Sequence, residues 1–370
     1  YVDEIPDLND IASGDGVLFV RNGIGLAGRG IAARVSDTDV HGALAAIEHR
    51  CDGVDDHITP IAVGSLAFLP GSPSELIIPH VTVRKHPNGS ITVTTVGDSD
   101  AALADEVVRH TLAQRSNTVP TAASYHIEPV VDVARYLAAV SAARDAVRAG
   151  RLTKAVIARP ILITSSEPID VHAVLQRLRS SFGSSYRYSI DGFIGASPEL
   201  LVEVDGTAVR SHPLAGTAAR TGDVDRDARI AADLITSTKD QIEHRIVIDV
   251  VHDTLLPWAS YLDWEPEPSV VTVANVQHLG TRMEGVLSQP RPNVIELVRA
   301  LSPTPALGGH PRTAAIELIE RVEGFQRGRY GGAVGWVDAA GNGTWAVAIR
   351  CAELSPDRRS ARLVAGGGIV

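Results

Sequence analysis

Thr236-Ser-Thr-Lys-Asp-Gln-Ile-Glu-His-Arg-Ile-Val-Ile-Asp-Val-Val-His252 is the stretch around which the rest of the chain can be ordered. It holds neither proline nor glycine. Ile242, Ile246 and Val250 recur at four-residue spacing, which predicts the buried row of one long helix over about 225–256. Glu243 falls on a neighbouring row with Val247 and Val250, and Asp240 lies one turn earlier, so both carboxylates are expected on one side of that helix. Carboxylates turned toward apolar packing must be neutralised, protonated or bound to a cation. Oxygen ligands suit a hard divalent ion. A solvated polar stripe, or an acid satisfied by a nearby arginine, would leave the same spacing.

Composition narrows the function classes. The chain has 370 residues, more than one small core accommodates, so one large domain or two fused halves are both open. Its formal net charge is −10 with no long basic run, which argues against nucleic acid and against an anionic membrane surface as partners. No run approaches the roughly 18 uncharged apolar residues of a transmembrane helix, and no secretory pattern opens the chain. It begins at Tyr1 without a methionine, so residues are expected to precede it. Cys51 and Cys351 are far apart and form no CxxC, which fits a reduced, cytoplasmic compartment. The 13 histidines include no HxxxH or HExxH, so a zinc site has little support.

Gly23-x-Gly25-x-x-Gly28 follows a predicted strand at 16–20 and matches the dinucleotide-binding fingerprint. We reject that reading, because no clear amphipathic helix follows and Ile31-Ala-Ala-Arg-Val resembles another strand. A glycine-rich hairpin is the simpler account. Val81–Lys85 and Ile91–Val96 read as a second hairpin with Asn88-Gly89 at its tip. Helices are expected over 39–50, 101–114, 131–149, 172–181, 293–301 and 312–320. Strands are expected at 66–69, 75–79, 154–163, 186–190, 192–196, 200–204, 207–212, 269–273, 332–337 and 344–351, with a loop at 213–220. The Ser/Thr-rich stretch 116–124 contains Pro120 and reads as a linker. Two similar passes of hairpins and helices predict an α+β fold with large antiparallel or mixed sheets and helices packed outside. The pseudo-repeated halves, 1–125 and 126–370, are expected to form one domain.

Chemistry can be placed on a few residues. Lys154 opens an apolar strand; facing inward it would be a usable base, facing outward a snorkelling lysine. Glu199 follows Pro198 between two strands, where a raised pKa would suit a general acid and solvent would make it an ordinary turn acid. Backbone N–H groups of Ala215-Gly216-Thr217-Ala218, and of Ala365-Gly-Gly-Gly368, could receive a carboxylate. Arg350 could clamp another. One cation, one base, one acid and several carboxylate receptors together suggest a small di-acid substrate.

Ser197-Pro-Glu-Leu-Leu, Pro213-Leu-Ala-Gly-Thr-Ala-Ala-Arg, Lys239-Asp-Gln-Ile-Glu-His, Pro303-Thr-Pro-Ala-Leu-Gly-Gly, Tyr330-Gly-Gly-Ala-Val-Gly-Trp, Gly343-Thr-Trp-Ala-Val-Ala-Ile-Arg and Ala365-Gly-Gly-Gly-Ile stand in one order. That order resembles the chorismate-utilising enzymes, which include isochorismate, salicylate, anthranilate and aminodeoxychorismate synthases. The resemblance runs from about residue 131 to the end. It implies Glu243 as a Mg²⁺ ligand with Asp240 beside the metal's water shell. It implies Glu199 as the acid that protonates the departing 4-hydroxyl of chorismate, and Lys154 as the base that activates water for addition at C2. Gly216 and Thr217 would hold the ring carboxylate; Tyr330, Arg350, Gly366 and Gly367 would hold the enolpyruvyl carboxylate. His278 matches a histidine facing the ring.

A lysine at 154 points to water rather than ammonia as nucleophile, because the ammonia-using members generally lack it. Ala306 and Leu307 resemble isochorismate synthases, where salicylate synthases carry Thr-Ala; no hydroxyl and a bulkier side chain would disfavour the ring pose that eliminates pyruvate. The resemblance therefore implies an isochorismate synthase, with salicylate synthase as the alternative, and a monomer by family precedent. It also implies a further helix beyond Val370 carrying additional glutamate ligands and a lysine.

Overall fold

In the computed structural model, which describes residues 7–48, 58–97 and 123–370, the glycine-rich stretch forms a hairpin. Asn22 and Gly23 have φ of 52° and 78°, the left-handed pair that a tight two-residue turn needs. Val17–Arg21 and Ile24–Arg29 pair across it, with Arg21 opposite Ile24. A strand, not a helix, follows the glycines, so the dinucleotide motif is absent as geometry. Val81–Lys85 and Ile91–Thr95 form the second hairpin and add to the same sheet.

All strand pairing among the described residues is antiparallel. An 11-stranded sheet, a 9-stranded sheet and a 3-stranded sheet make up the α+β fold. Early and late strands join in both large sheets: Phe19 pairs with Tyr188 in the first, Val63 with Trp336 in the second. We propose residues 125 and 126 as the division between two halves of this single body. The inner faces of the two large sheets meet in the main core, where Phe19, Leu26, Tyr188 and Phe193 face Val63, Val202, Trp336 and Trp345. Each such aliphatic or aromatic side chain removed from water contributes roughly 1.5–3 kcal/mol.

Helices cover the sheets, and most start on a side-chain cap. Asp132 caps Val133–Arg148, Asp170 caps Val171–Phe182, and Asn293 with Glu296 forms a capping box on Val294–Leu301. The predicted helix at 39–50 is described only as Val40–Ala45. The predicted helix at 101–114 and most of the linker lie outside the described residues.

The single helix expected over 225–256 is two helices, Val224–Thr236 and Thr238–Leu255. Ser237 is extended (φ −67°, ψ 109°) and accepts a hydrogen bond from Asp240 N, so it ends one helix and caps the next. A serine flanked by threonines competes with the backbone for hydrogen bonds, which periodicity alone does not register. The buried row also differs. Ile242 is 54% exposed, while His244, Val247, Ile248, Val251 and Leu255 face the core. The break at Ser237 lets the second helix set its own rotation. The loop predicted at 213–220 is mostly strand, and the terminal glycines are strand as well. Leu214–Ala219 belongs to the small sheet, and the terminal glycines lie inside Ser360–Ile369. The strand expected over 344–351 is Gly343–Val347 in the second sheet and Cys351–Leu354 in the first.

Candidate active site

Chain crossings between the two large sheets carry two of the chemical groups. Phe193–Ser197 lies in the first sheet and Leu200–Asp205 in the second, so Glu199 sits where the chain passes between them. Arg350 sits at the return crossing with φ 52°, a conformation rarely held by non-glycine residues without cause. Ala196 N donates to Arg350 O at 3.2 Å, so the crossings are adjacent.

Glu199 is buried, and Leu214 N approaches its Oε1 at only 3.4 Å. Desolvation raises its pKa to about 8; the Leu214 N–H, Lys154 and Arg350 oppose that rise without cancelling it. Glu199 therefore holds a proton at neutral pH. Lys154 begins the strand Lys154–Ser165 and is 1% exposed. Burial lowers its pKa, while Glu243 and then Glu199 act in the opposite direction. Its Nζ lies 2.9 Å from Glu243 Oε1. The inward orientation left open by the sequence is the one present.

The glycine run is legible in the strand register. Gly366, Gly367 and Gly368 pair with Ala158, Ile157 and Val156 of the Lys154 strand. A Cβ on Gly368 would come 2.4 Å from Glu243 Oε1, and one on Gly366 would come 3.2 Å from Tyr330 Oη. Gly367 has open space where a side chain would be, and all three glycines are exposed. Backbone thus approaches the Lys154–Glu243 pair closely and leaves room beside it. Gly216 has φ 77°, at an irregularity in the pairing between Ala215 and Thr217, and faces Asp240.

A second set of contacts runs from Thr217 to Arg350. Arg350 Nη2 donates to His278 Nε2 at 2.5 Å, and Thr217 Oγ1 is 2.9 Å from His278 Nδ1. Arginine only donates, so the ring is neutral with its proton on Nδ1, aimed at the threonine. Desolvation and Arg350 lower the ring's pKa to about 4, in agreement. Arg350 Nη1 is buried without a partner among the described residues. An unused guanidinium donor beside a protonated acid suits an incoming carboxylate.

Glu243 and Asp240 bear on the expected metal. Lys239 Nζ lies 3.6 Å from Asp240 Oδ1 and 3.7 Å from Glu243 Oε2, and Ser237 Oγ donates to Asp240 Oδ2. Among the described residues no group of three or more His, Cys, Asp or Glu is placed to hold a metal ion. Two carboxylates one turn apart, with substrate oxygens and water completing the shell, still form a donor set that Mg²⁺ takes. The residues present fit the ion in that limited sense. Ala306 is packed against the main core, and the next residues, Gly308 and Gly309, bond to and pair with the Lys154 strand. Leu307 is buried in the main core, and its carbonyl accepts from Arg327 Nη1 at 2.7 Å.

Sequence reasoning missed what holds the Lys154 strand. Glu323 and Arg327 are 3% exposed each and form a bidentate pair, with Arg327 Nε at 2.9 Å from Oε2 and Nη2 at 2.5 Å from Oε1. Glu323 Oε1 accepts from Ala158 N, and Arg327 Nη2 donates to Val156 O, each at 2.7 Å. The two side chains take the place of a neighbouring strand along this part of the Lys154 strand. Through Leu307 they also tie in the Pro303–Gly309 turn. An i, i+4 Glu/Arg pair normally reads as a solvated helix end, so no local signal marks it. Glu323→Ala is expected to destabilise the fold by roughly 3–5 kcal/mol, because it strands a buried guanidinium. Denaturant unfolding checks this; a loss below 1 kcal/mol would show that the pair is not held as described. His244, also missed, is buried beside Glu243, with Nε2 2.8 Å from Thr281 Oγ1.

Comparison with known proteins is consistent over most of the chain. The family described as chorismate binding enzyme matches residues 48–370. The isochorismate synthase DhbC of Bacillus subtilis strain 168 is 40% identical over 258 residues, 67% of this chain and 64% of its own. The isochorismate synthase EntC of Escherichia coli strain K12 is 34% identical over 341 residues, 90% of this chain and 81% of its own. The solved structure of MenF, the menaquinone-specific isochorismate synthase from Escherichia coli, superposes with a TM-score of 0.85 at 25% identity, covering 100% of this chain and 86% of that one.

Proposed function

The chain belongs to the chorismate binding enzyme family, and from that premise we propose that it is a Mg²⁺-dependent isochorismate synthase interconverting chorismate and isochorismate. One observation supports this reading above the others. Lys154 and Glu199 are both buried and within electrostatic reach of each other, and burial loosens the proton of one and retains that of the other. An isomerisation that adds water at one ring carbon and loses it from another needs such a base and such an acid.

In the proposed reaction Lys154 takes a proton from water as its oxygen bonds to C2. The ring double bonds shift, the C4–O bond breaks, and Glu199 gives its proton to the departing hydroxyl. One water enters and one leaves, so substrate and product are isomers. Arg350 holds one carboxylate through its unpartnered Nη1, with Tyr330, Gly366 and Gly367 beside it. His278 fixes Arg350 and Thr217 relative to each other, and Gly216 and Thr217 face the other carboxylate. Glu243 and Asp240 would hold the Mg²⁺, whose charge, when bound, neutralises that carboxylate and competes with Lys154 for Glu243. We place the protein in the cytoplasm as a monomer; among the described residues no helix is long and apolar enough to cross a membrane.

Incubation with chorismate and Mg²⁺, followed by separation of products, tests the proposal. Isochorismate alone is the expected product. Salicylate with pyruvate would replace this reading by salicylate synthase and remove the specificity role given to Ala306 and Leu307.

A further inference from the structure

The outer face of the 11-stranded sheet carries a second, smaller core, in which Leu18, Val20 and Ile194 meet the helices Leu8–Ala12 and Val171–Phe182. Lys154 and Glu199 lie elsewhere. Beside this core is a cavity of about 310 Å³, bordered by Asp7, Asn9, Asn22, Lys85, Arg179 and Arg187 among others. That volume is at the lower end of small-ligand pockets.

The charges around it do not balance. Arg187, on the strand Tyr186–Ile190, is 2% exposed. Its Nη1 donates to Asn9 Oδ1 at 2.9 Å, which is a neutral amide, and its Nε is buried without a partner. Among the described residues no carboxylate lies within ion-pairing distance of Arg187 or Lys85. Asp7, among the described residues the single carboxylate bordering the cavity, is committed to Arg179 at 3.2 Å and to Asn9 N at 2.9 Å. Among the described residues three cations therefore face one acid. A buried guanidinium with no carboxylate in contact is costly, and its remaining donors are shaped for the paired oxygens of a carboxylate or phosphate.

We propose that this cavity is a binding site, separate from the active site, for a small organic anion bearing a carboxylate or phosphate group. Arg187 is its buried anchor, Lys85 supplies the second positive charge at the rim, and the Asn9 and Asn22 amides border the same space. Burial lowers the Arg187 pKa; Asp7 acts against that and Arg179 with it, so the acid at the cavity offsets the cost of burial only in part.

The test is calorimetric titration of the chain with inorganic phosphate and, separately, with malonate at fixed ionic strength. The unmodified protein, Lys85→Ala, Arg187→Gln and Arg350→Ala are compared. One saturable equivalent at millimolar concentration is expected to persist in Arg350→Ala, which removes the competing arginine of the active site. It is expected to weaken by about tenfold or more in Lys85→Ala and Arg187→Gln, while Lys85→Ala turns over chorismate at the unmodified rate. The preferred titrant identifies the anion class. Absence of saturable binding of either anion, or binding unchanged in Lys85→Ala, would overturn the proposal, and the Lys85 arm stands even if Arg187→Gln does not fold.

Discussion

Lys154→Ala is expected to lower the turnover of chorismate by about 10²–10⁴-fold, the range for loss of a positioned general base. Lys154 is among the largest fully buried side chains of the protein and is paired at 2.9 Å with Glu243. Its strand is pinned by Glu323 and Arg327, so the amine is presented from a rigid position. The loss should appear in kcat. Chorismate binding should fall less, because Arg350, Thr217 and His278 are untouched. Steady-state kinetics with a binding measurement on the same variant separate the two, and a kcat near that of the unmodified protein would remove Lys154 from the role of base. Stability should suffer less than in Glu323→Ala. Glu243 is left partly accessible to water and keeps Lys239 at 3.7 Å, whereas Glu323 leaves a guanidinium with no solvent.

Glu199→Gln is expected to abolish isomerisation to a similar degree, and the pH dependence of the unmodified enzyme should show why. The Glu199 carboxyl has a pKa of about 8 because burial disfavours its anion. The acid is present below that pH and lost as the pH rises through it. The kcat/KM profile should therefore fall on the alkaline side near pH 8, since that parameter reports the free enzyme. Stability supplies an independent readout. Between the ordinary carboxyl pKa and about 8 the folded protein holds a proton that the unfolded chain has released. Folding stability therefore falls as pH rises through this window, by about 1.4 kcal/mol per pH unit from this group, and levels off above it. In Glu199→Gln that component of the slope should vanish. Identical pH slopes of stability in the two proteins, measured by denaturant unfolding, would show that Glu199 does not retain its proton.

Much of the fold was legible because its signals are local. Asn22-Gly23 and Asn88-Gly89 call for left-handed backbone, and alternating β-branched residues flank the second. Asp132, Asp170 and Asn293 mark helix starts by side-chain capping. The errors share a different cause. The break at Ser237 depends on a side-chain hydrogen bond winning over helix continuation, and the strand at Leu214–Ala219 needs a partner, Val276–Gly280, far along the chain. A strand segment without side chains, such as the glycines at 366–368 within Ser360–Ile369, has no pattern of its own. It exists because the Lys154 strand lies beside it.

The amino-acid sequence by itself determined the family, the candidate acid, base and metal-facing carboxylates, and the α+β class with its sheets left antiparallel or mixed. These rest on residue identity, order and short-range spacing, which survive without coordinates. Only the tertiary structure decided that Lys154 points inward onto Glu243, that Glu199 is dry enough to keep a proton, and that Arg350 turns left-handed with a donor to spare. It alone placed Glu323 and Arg327 inside the protein, where they stand in for a missing strand. The reason is that desolvation and charge pairing are properties of a side chain's surroundings. Those surroundings are assembled from segments distant along the chain, so no spacing between neighbouring residues encodes them.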